Sequence, residues 1–238
     1  MTPAASGAVA FRGVTVRRGG RRLLENVTFD VPAGSRFALL GLLPDERTAL
    51  LGCADGRVRP DSGSCLVFGE APPSGLLARL RRRRFPRPDL LVLDDASAPG
   101  PAASREAAGI LLSEAARRRT SVLFAPHDVS LVERFATHVG FFRGGRLVLD
   151  GSLDGVRASC RRIRYSNERT EERTEFGNEL DAFDAVRVKV RGWGIDAVVS
   201  NFDEAEFERF RALEGVVGAE AEPLSLEEIY AAVAGTGG

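Results

Sequence analysis

Residues 39–52 read LLGLLPDERTALLG, and their types and spacing resemble a loop that holds phosphate. A short apolar run ends at Gly41, and Arg47, Thr48 and the apolar pair Leu50–Leu51 follow. A glycine after a strand lets backbone N–H groups turn toward an anion. A basic and a hydroxyl residue at the next helix supply charge and a cation ligand. The middle of the stretch opposes that chemistry. Pro44 has no N–H to donate, and Asp45 and Glu46 put carboxylates where phosphate charge would sit. Like charges about 4 Å apart repel by roughly 1–4 kcal/mol per pair, according to the local dielectric. Two more groups stand at strand ends: Asp94 and Asp95 in DLLVLDDA (89–96), and His127 in SVLFAPHD (121–128).

Such groups need a sheet to hold them. FALL (37–40), DLLVLDDA and SVLFAPHD are short apolar runs of the buried, parallel-strand kind. Helical character falls at 48–54, 76–84, 104–119 and 130–136, the third with Ala108, Leu111, Leu112 and Ala115 at helical spacing. Strands at 8–13 and 27–31 flank a basic, Gly-containing hairpin at 17–22. A turn and strand occupy 59–69, and a hairpin with Gly144–Gly145 at its turn spans 139–151. Strands alternating with helices predict an α/β domain. Its sheet is mainly parallel, antiparallel strands lie at its N-terminal side, and its ligand end is at the strands' carboxyl ends. The tail predicts a small α+β extension: strands at 185–190 and 195–200, a helix from Asp203, a strand at 216–223 and a last helix. Asp203 reads as an N-cap, Phe207, Phe210 and Leu213 as one apolar stripe, and Ser225 with Glu228 as a capping box.

With 238 residues the chain allows one large domain, or one plus an appendage. A hydrophobic share of 44% with 28% charged residues is that of a soluble globular protein. The net charge of zero hides a split. Residues 1–165 hold 26 basic against 16 acidic residues; after Tyr165 there are seven against seventeen. The sign changes in SNERTEERTEFGNELD (166–181), which lacks apolar periodicity. This predicts a core domain at 1–160, a linker at 161–181 and the extension at 182–238. Cys53, Cys65 and Cys160 are widely spaced with no CxxC, which predicts a reduced, intracellular protein without disulfide or zinc site. The start, MTPAASGAVAF, lacks the pattern of a signal peptide, and the apolar runs are strand-length. Trp193 is one aromatic between glycines, so nucleic-acid stacking has no support. The arginines of 79–87 suit acidic lipid or nucleic acid, or a solvated connector, the blander reading being favoured.

In chain order, FRGVTVRRGGRRLLENVTFDVPAGSRFALLG, RPDSGSCLVFG, DLLVLDDAS and TSVLFAPHDVSLVERFATHVGFFRGGRLVLDG resemble the ATP-binding subunit of ABC transporters. The ending PLSLEEIYAAVAG resembles the C-terminal extension of ABC-2 type, drug-exporter ATPases. The resemblance covers nearly the whole chain and implies a P-loop NTPase-like core. It also implies roles. Gly41, Arg47 and Thr48 fall in the phosphate loop, Arg47 replacing its lysine and Thr48 matching the magnesium-side hydroxyl. Arg18 replaces the aromatic that stacks on adenine. Asp94 matches the carboxylate that holds magnesium through water. Asp95 stands in for the catalytic glutamate, one methylene short, and a misplacement of about 1 Å costs on the order of a hundredfold in rate. His127 matches the switch histidine, with a purely structural hydrogen-bonding role equally open.

The departures are as informative as the match. Both later loop glycines are replaced, by Pro44 and Glu46. Lys189, in the tail, is the only lysine, and the chain contains no glutamine. Only 46 positions separate Thr48 from Asp94, less than half the family's span. The helical subdomain with the glutamine loop and the LSGGQ signature is therefore expected to be missing around 70–88. The loop APGPAA (98–103) lacks the family's aspartate. The resemblance thus implies a degenerate, non-catalytic cassette subunit of an ABC-2 type exporter, peripheral on the cytoplasmic face of a bacterial-type cell membrane. Its expected partners are a permease, an intact ABC ATPase subunit, or both, in a hetero-oligomer, and not nucleic acid. No nucleotide is expected, ATP and magnesium entering only if residual binding persists. Two alternatives remain: a scaffold or regulatory protein on the same fold, and a weak residual ATPase.

Overall fold

A computed structural model of the chain describes residues 7–72, 90–94, 101–126, 128–167 and 178–235. The chain divides into two compact units, Met1–Gly151 and Ser152–Gly238.

The first unit begins with β1 (Val9–Arg18) and β2 (Arg21–Val31), an antiparallel pair turning at Gly19–Gly20. With β4 (Ser62–Val67) they form an antiparallel sheet of order β2-β1-β4. A second sheet is built from β3 (Arg36–Leu40), β5 (Leu90–Asp94), β6 (Ser121–Ala125), β7 (His138–Arg143) and β8 (Arg146–Ser152), in the order β5-β6-β3-β7-β8. The pairs β5–β6, β6–β3 and β3–β7 are parallel. The helix α1 (Pro44–Asp55) packs against β2 and β4 of one sheet and β5 and β6 of the other. Leu50 and Leu51 are fully buried in a core shared with Phe11, Phe29, Phe37 and Phe142. Enclosure from both sides explains why α1 buries Arg47 and Glu46 along with its apolar residues. It begins at Pro44, four residues before the expected start, because proline's fixed φ and missing N–H suit a first helical position.

Two more helices follow, α2 (Pro101–Arg118) and α3 (Val129–Phe135), which pack on one another, α2 also touching β6. Leu112 and Ala115 are buried, whereas Leu111, expected on the same stripe, is 45% exposed. The segment expected to be helical at 76–84, with its arginine run, lies outside the described residues.

The second unit opens with α4 (Leu153–Ser159) and β9 (Arg161–Asn167). A 3-10 turn (Asn178–Phe183), β10 (Ala185–Arg191), β11 (Gly194–Val199), α5 (Glu204–Arg211), β12 (Val216–Pro223) and α6 (Leu226–Ala234) complete it. The sheet is antiparallel with order β10-β11-β9-β12. The expected linker at 161–181 is therefore corrected: 161–167 is an inner strand of this sheet. Its residues alternate. Ile163 and Tyr165 are buried in a core with Phe183, Phe207 and Phe210. Arg162 and Arg164 point to the other face, where Arg162 pairs with Glu228 at 3.2 Å and Arg164 with Glu222 at 3.1 Å. The change of charge sign thus falls after β9, inside the second unit. Phe207 and Phe210 are core, while Leu213, expected on their stripe, is 47% exposed.

Candidate functional site

The parallel strands β3 and β5 end on the same side of the sheet, with β6 between them, so their carboxyl ends lie about 10 Å apart. Gly41 follows β3 with φ of +87°, and a Cβ built there would lie 2.1 Å from the Phe142 carbonyl oxygen. The close approach to β7 demands a glycine whether or not phosphate ever binds.

The chain then enters α1 through Leu43 and Pro44. The Leu43 N–H donates to Glu46 Oε2 at 2.9 Å, so a side-chain carboxylate, 4% exposed, takes an amide of the turn. That amide would otherwise face an anion at the helix start. Pro44 contributes no amide. One residue further, Arg47 Nε lies 2.9 Å from Asp94 Oδ1, their side chains 8% and 21% exposed. The contact is an ion pair whose Nε–H is not aligned on the oxygen as a hydrogen bond requires.

The sequence-derived candidates therefore separate. Arg47 and Asp94 come together. Thr48 sits on the next helical position and is exposed, and Gly41 holds the turn. Arg18 is at the exposed tip of the β1–β2 hairpin, opposite Arg21. Asp95 and His127 lie outside the described residues. Sequence reasoning missed the pairing of Arg47 with Asp94. The 46 positions between Thr48 and Asp94 give no sign of contact; the packing of α1 on β5 brings them together. An open groove of about 1040 Å³ lies between α2 and α3, lined among others by Ile110, Arg117, Leu131 and Arg134, and includes none of these residues.

The three free cysteines are buried. Burial pushes the Cys53 and Cys160 thiols up to about 11 and the Cys65 thiol up to about 12. None is poised as a nucleophile.

Two features of this arrangement bear on a magnesium nucleotide. The turn supplies neither a lysine nor the glycine backbone that would surround a phosphate. Asp94, the carboxylate matched to magnesium, already faces a guanidinium. A divalent cation there would stand beside a fixed positive charge.

No family model matches the chain. Part of it is similar to ATP-binding proteins of transport systems. The phosphonates import ATP-binding protein PhnC 1 of Natronomonas pharaonis is 38% identical over 60 residues, 25% of this chain and 26% of that protein. The intermembrane phospholipid transport system ATP-binding protein MlaF of Escherichia coli K12 is 32% identical over 80 residues, 34% of this chain and 30% of that one. The matches thus span about a quarter to a third of these relatives' length. Two solved structures extend the likeness across the fold. CbiO1 from Clostridium perfringens, part of the ABC transporter complex cbiONQ, superposes with a TM-score of 0.52 at 14% identity, covering 64% of this chain and 91% of that one. An ATP-binding subunit of an ABC transporter gives 0.50 at 16% identity, covering 64% and 92%. The fold is that of the P-loop NTPase domain of ABC ATP-binding subunits.

Proposed function

We propose that the chain is a non-catalytic cassette subunit of an ABC-2 type exporter, peripheral at the cytoplasmic face of the membrane. It pairs with a membrane permease, a competent ATPase subunit, or both. The observation that carries the reading is the Arg47–Asp94 ion pair, which sets a cation of the protein against the carboxylate matched to magnesium. The similarity to transport ATP-binding proteins supports the transport setting. Those relatives are named for import and for intermembrane transport, so the exporter assignment rests on the tail PLSLEEIYAAVAG. No helix among the described residues is long and apolar enough to cross a membrane.

Affinity purification of the full chain from its native membrane, followed by identification of what accompanies it, tests the proposal. A multi-span permease, or an ATPase subunit with an intact phosphate loop, is expected. Recovery of a non-transport assembly in their place would transfer the chain to the scaffold class.

A further inference from the structure

We infer that the phosphate-loop site is filled by the protein itself: Glu46 takes a turn amide as an anion would, and Arg47 faces Asp94 as a cation would. The chain then holds α1 and β5 together without a ligand. The inference rests on the reading of this site as a degenerate nucleotide site. Two independent contacts meet on Glu46 and Arg47, two consecutive buried residues of the first turn of α1. Glu46, 4% exposed, accepts the Leu43 N–H at 2.9 Å, next to Pro44, which has none to give. Arg47, with its side chain 8% exposed, meets Asp94 at the end of β5 at 2.9 Å.

Each contact excludes one half of a magnesium nucleotide. A phosphate at the turn would meet the Glu46 carboxylate at van der Waals range, like charge against like. A magnesium ion on Asp94 would meet the Arg47 guanidinium in the same way. To admit the pair, the protein would have to break both contacts, one of them the Arg47–Asp94 ion pair with side chains 8% and 21% exposed. The α1–β5 geometry is accordingly constitutive. Binding and release of nucleotide do not switch it, and any conformational drive in an assembly comes from another subunit.

The test uses the full chain and two measurements. First, the thermal midpoint of the wild type is read with and without about 5 mM ATP, in magnesium and in EDTA. No shift beyond about 1 °C is expected in any condition, whereas a ligand far above its Kd raises the midpoint by several degrees. Second, Arg47→Met, Asp94→Asn and the double substitution are compared. Each single change removes one side of the ion pair and lowers the midpoint by at least about 5 °C, and the double change lowers it no further than the worse single. Where a single variant fails to fold, a folded double variant supports the inference and an unfolded one overturns it. A magnesium-dependent shift of several degrees in the wild type, or additive losses in the double variant, also overturns it. Absence of a permease in the purification leaves the inference intact, whereas magnesium-ATP binding overturns it and leaves the partnership standing.

Discussion

Gly41 illustrates how packing alone can require a glycine at a turn. Its φ of +87° and the 2.1 Å approach of a built Cβ to the Phe142 carbonyl oxygen both forbid a side chain. Gly41→Ala is expected to lose at least about 2 kcal/mol, read from the urea midpoint at unchanged slope. That glycine was legible in the sequence as the end of an apolar run, and so was the fault beside it at Pro44–Asp45–Glu46. What these carboxylates do was not legible. Glu46 folds back onto its own turn, a contact that depends on where α1 starts, and proline at a first helical position moves that start. Cysteine chemistry also belongs at this scale. With thiols pushed up to about 11 and 12 and buried, fewer than one cysteine per native chain should react with iodoacetamide at about pH 8. All three should react in denaturant. Rapid labelling of the native protein would contradict the burial.

At the scale of elements, apolar runs read as buried strands became β3, β5 and β6, because a strand covered on both faces has little choice of residue. β9 was the element that escaped. Its alternation of Ile163 and Tyr165 with Arg162 and Arg164 was visible, but the charge reversal just beyond it suggested a boundary. The reversal instead matches arginines on one strand with Glu222 and Glu228 on neighbouring elements. Helix α6 was fully legible through its cap: the Ser225 hydroxyl accepts the Glu228 N–H, and Glu228 accepts the Ser225 N–H. Ser225→Ala should cost about 1 kcal/mol in chemical denaturation. The Glu228 carboxyl is held below its ordinary value of 4.5, first by the Ser225 backbone N–H, against some desolvation. A depressed folded pKa stabilises above the unfolded value and is lost as pH falls through the folded one. The stability gap between wild type and Glu228→Gln should therefore close as pH drops below 4.5. A gap unchanged at about pH 3 would show that the capping carboxylate contributes nothing through its charge.

For the whole molecule, the division at Gly151/Ser152 has a direct consequence. Residues 152–238, expressed alone, should fold with dispersed amide resonances and a cooperative melt. Residues 182–238, cut where the charge reversal suggested, lack β9 and should not. Equal behaviour of the two fragments would contradict the placement of β9 inside the sheet. The α/β class, the parallel core and the appended tail were legible because local patterns add along the chain. The Arg47–Asp94 contact was not, because the packing of α1 on β5, a property of the folded whole, creates it.

Whether the cassette is closed to nucleotide is decided by equilibrium binding of magnesium-ATP to the purified full chain, with phosphate release measured on the same samples. No saturable binding into the millimolar range, and no release above the buffer rate, is the result expected. Micromolar affinity, with release abolished by Asp95→Asn, would contradict it.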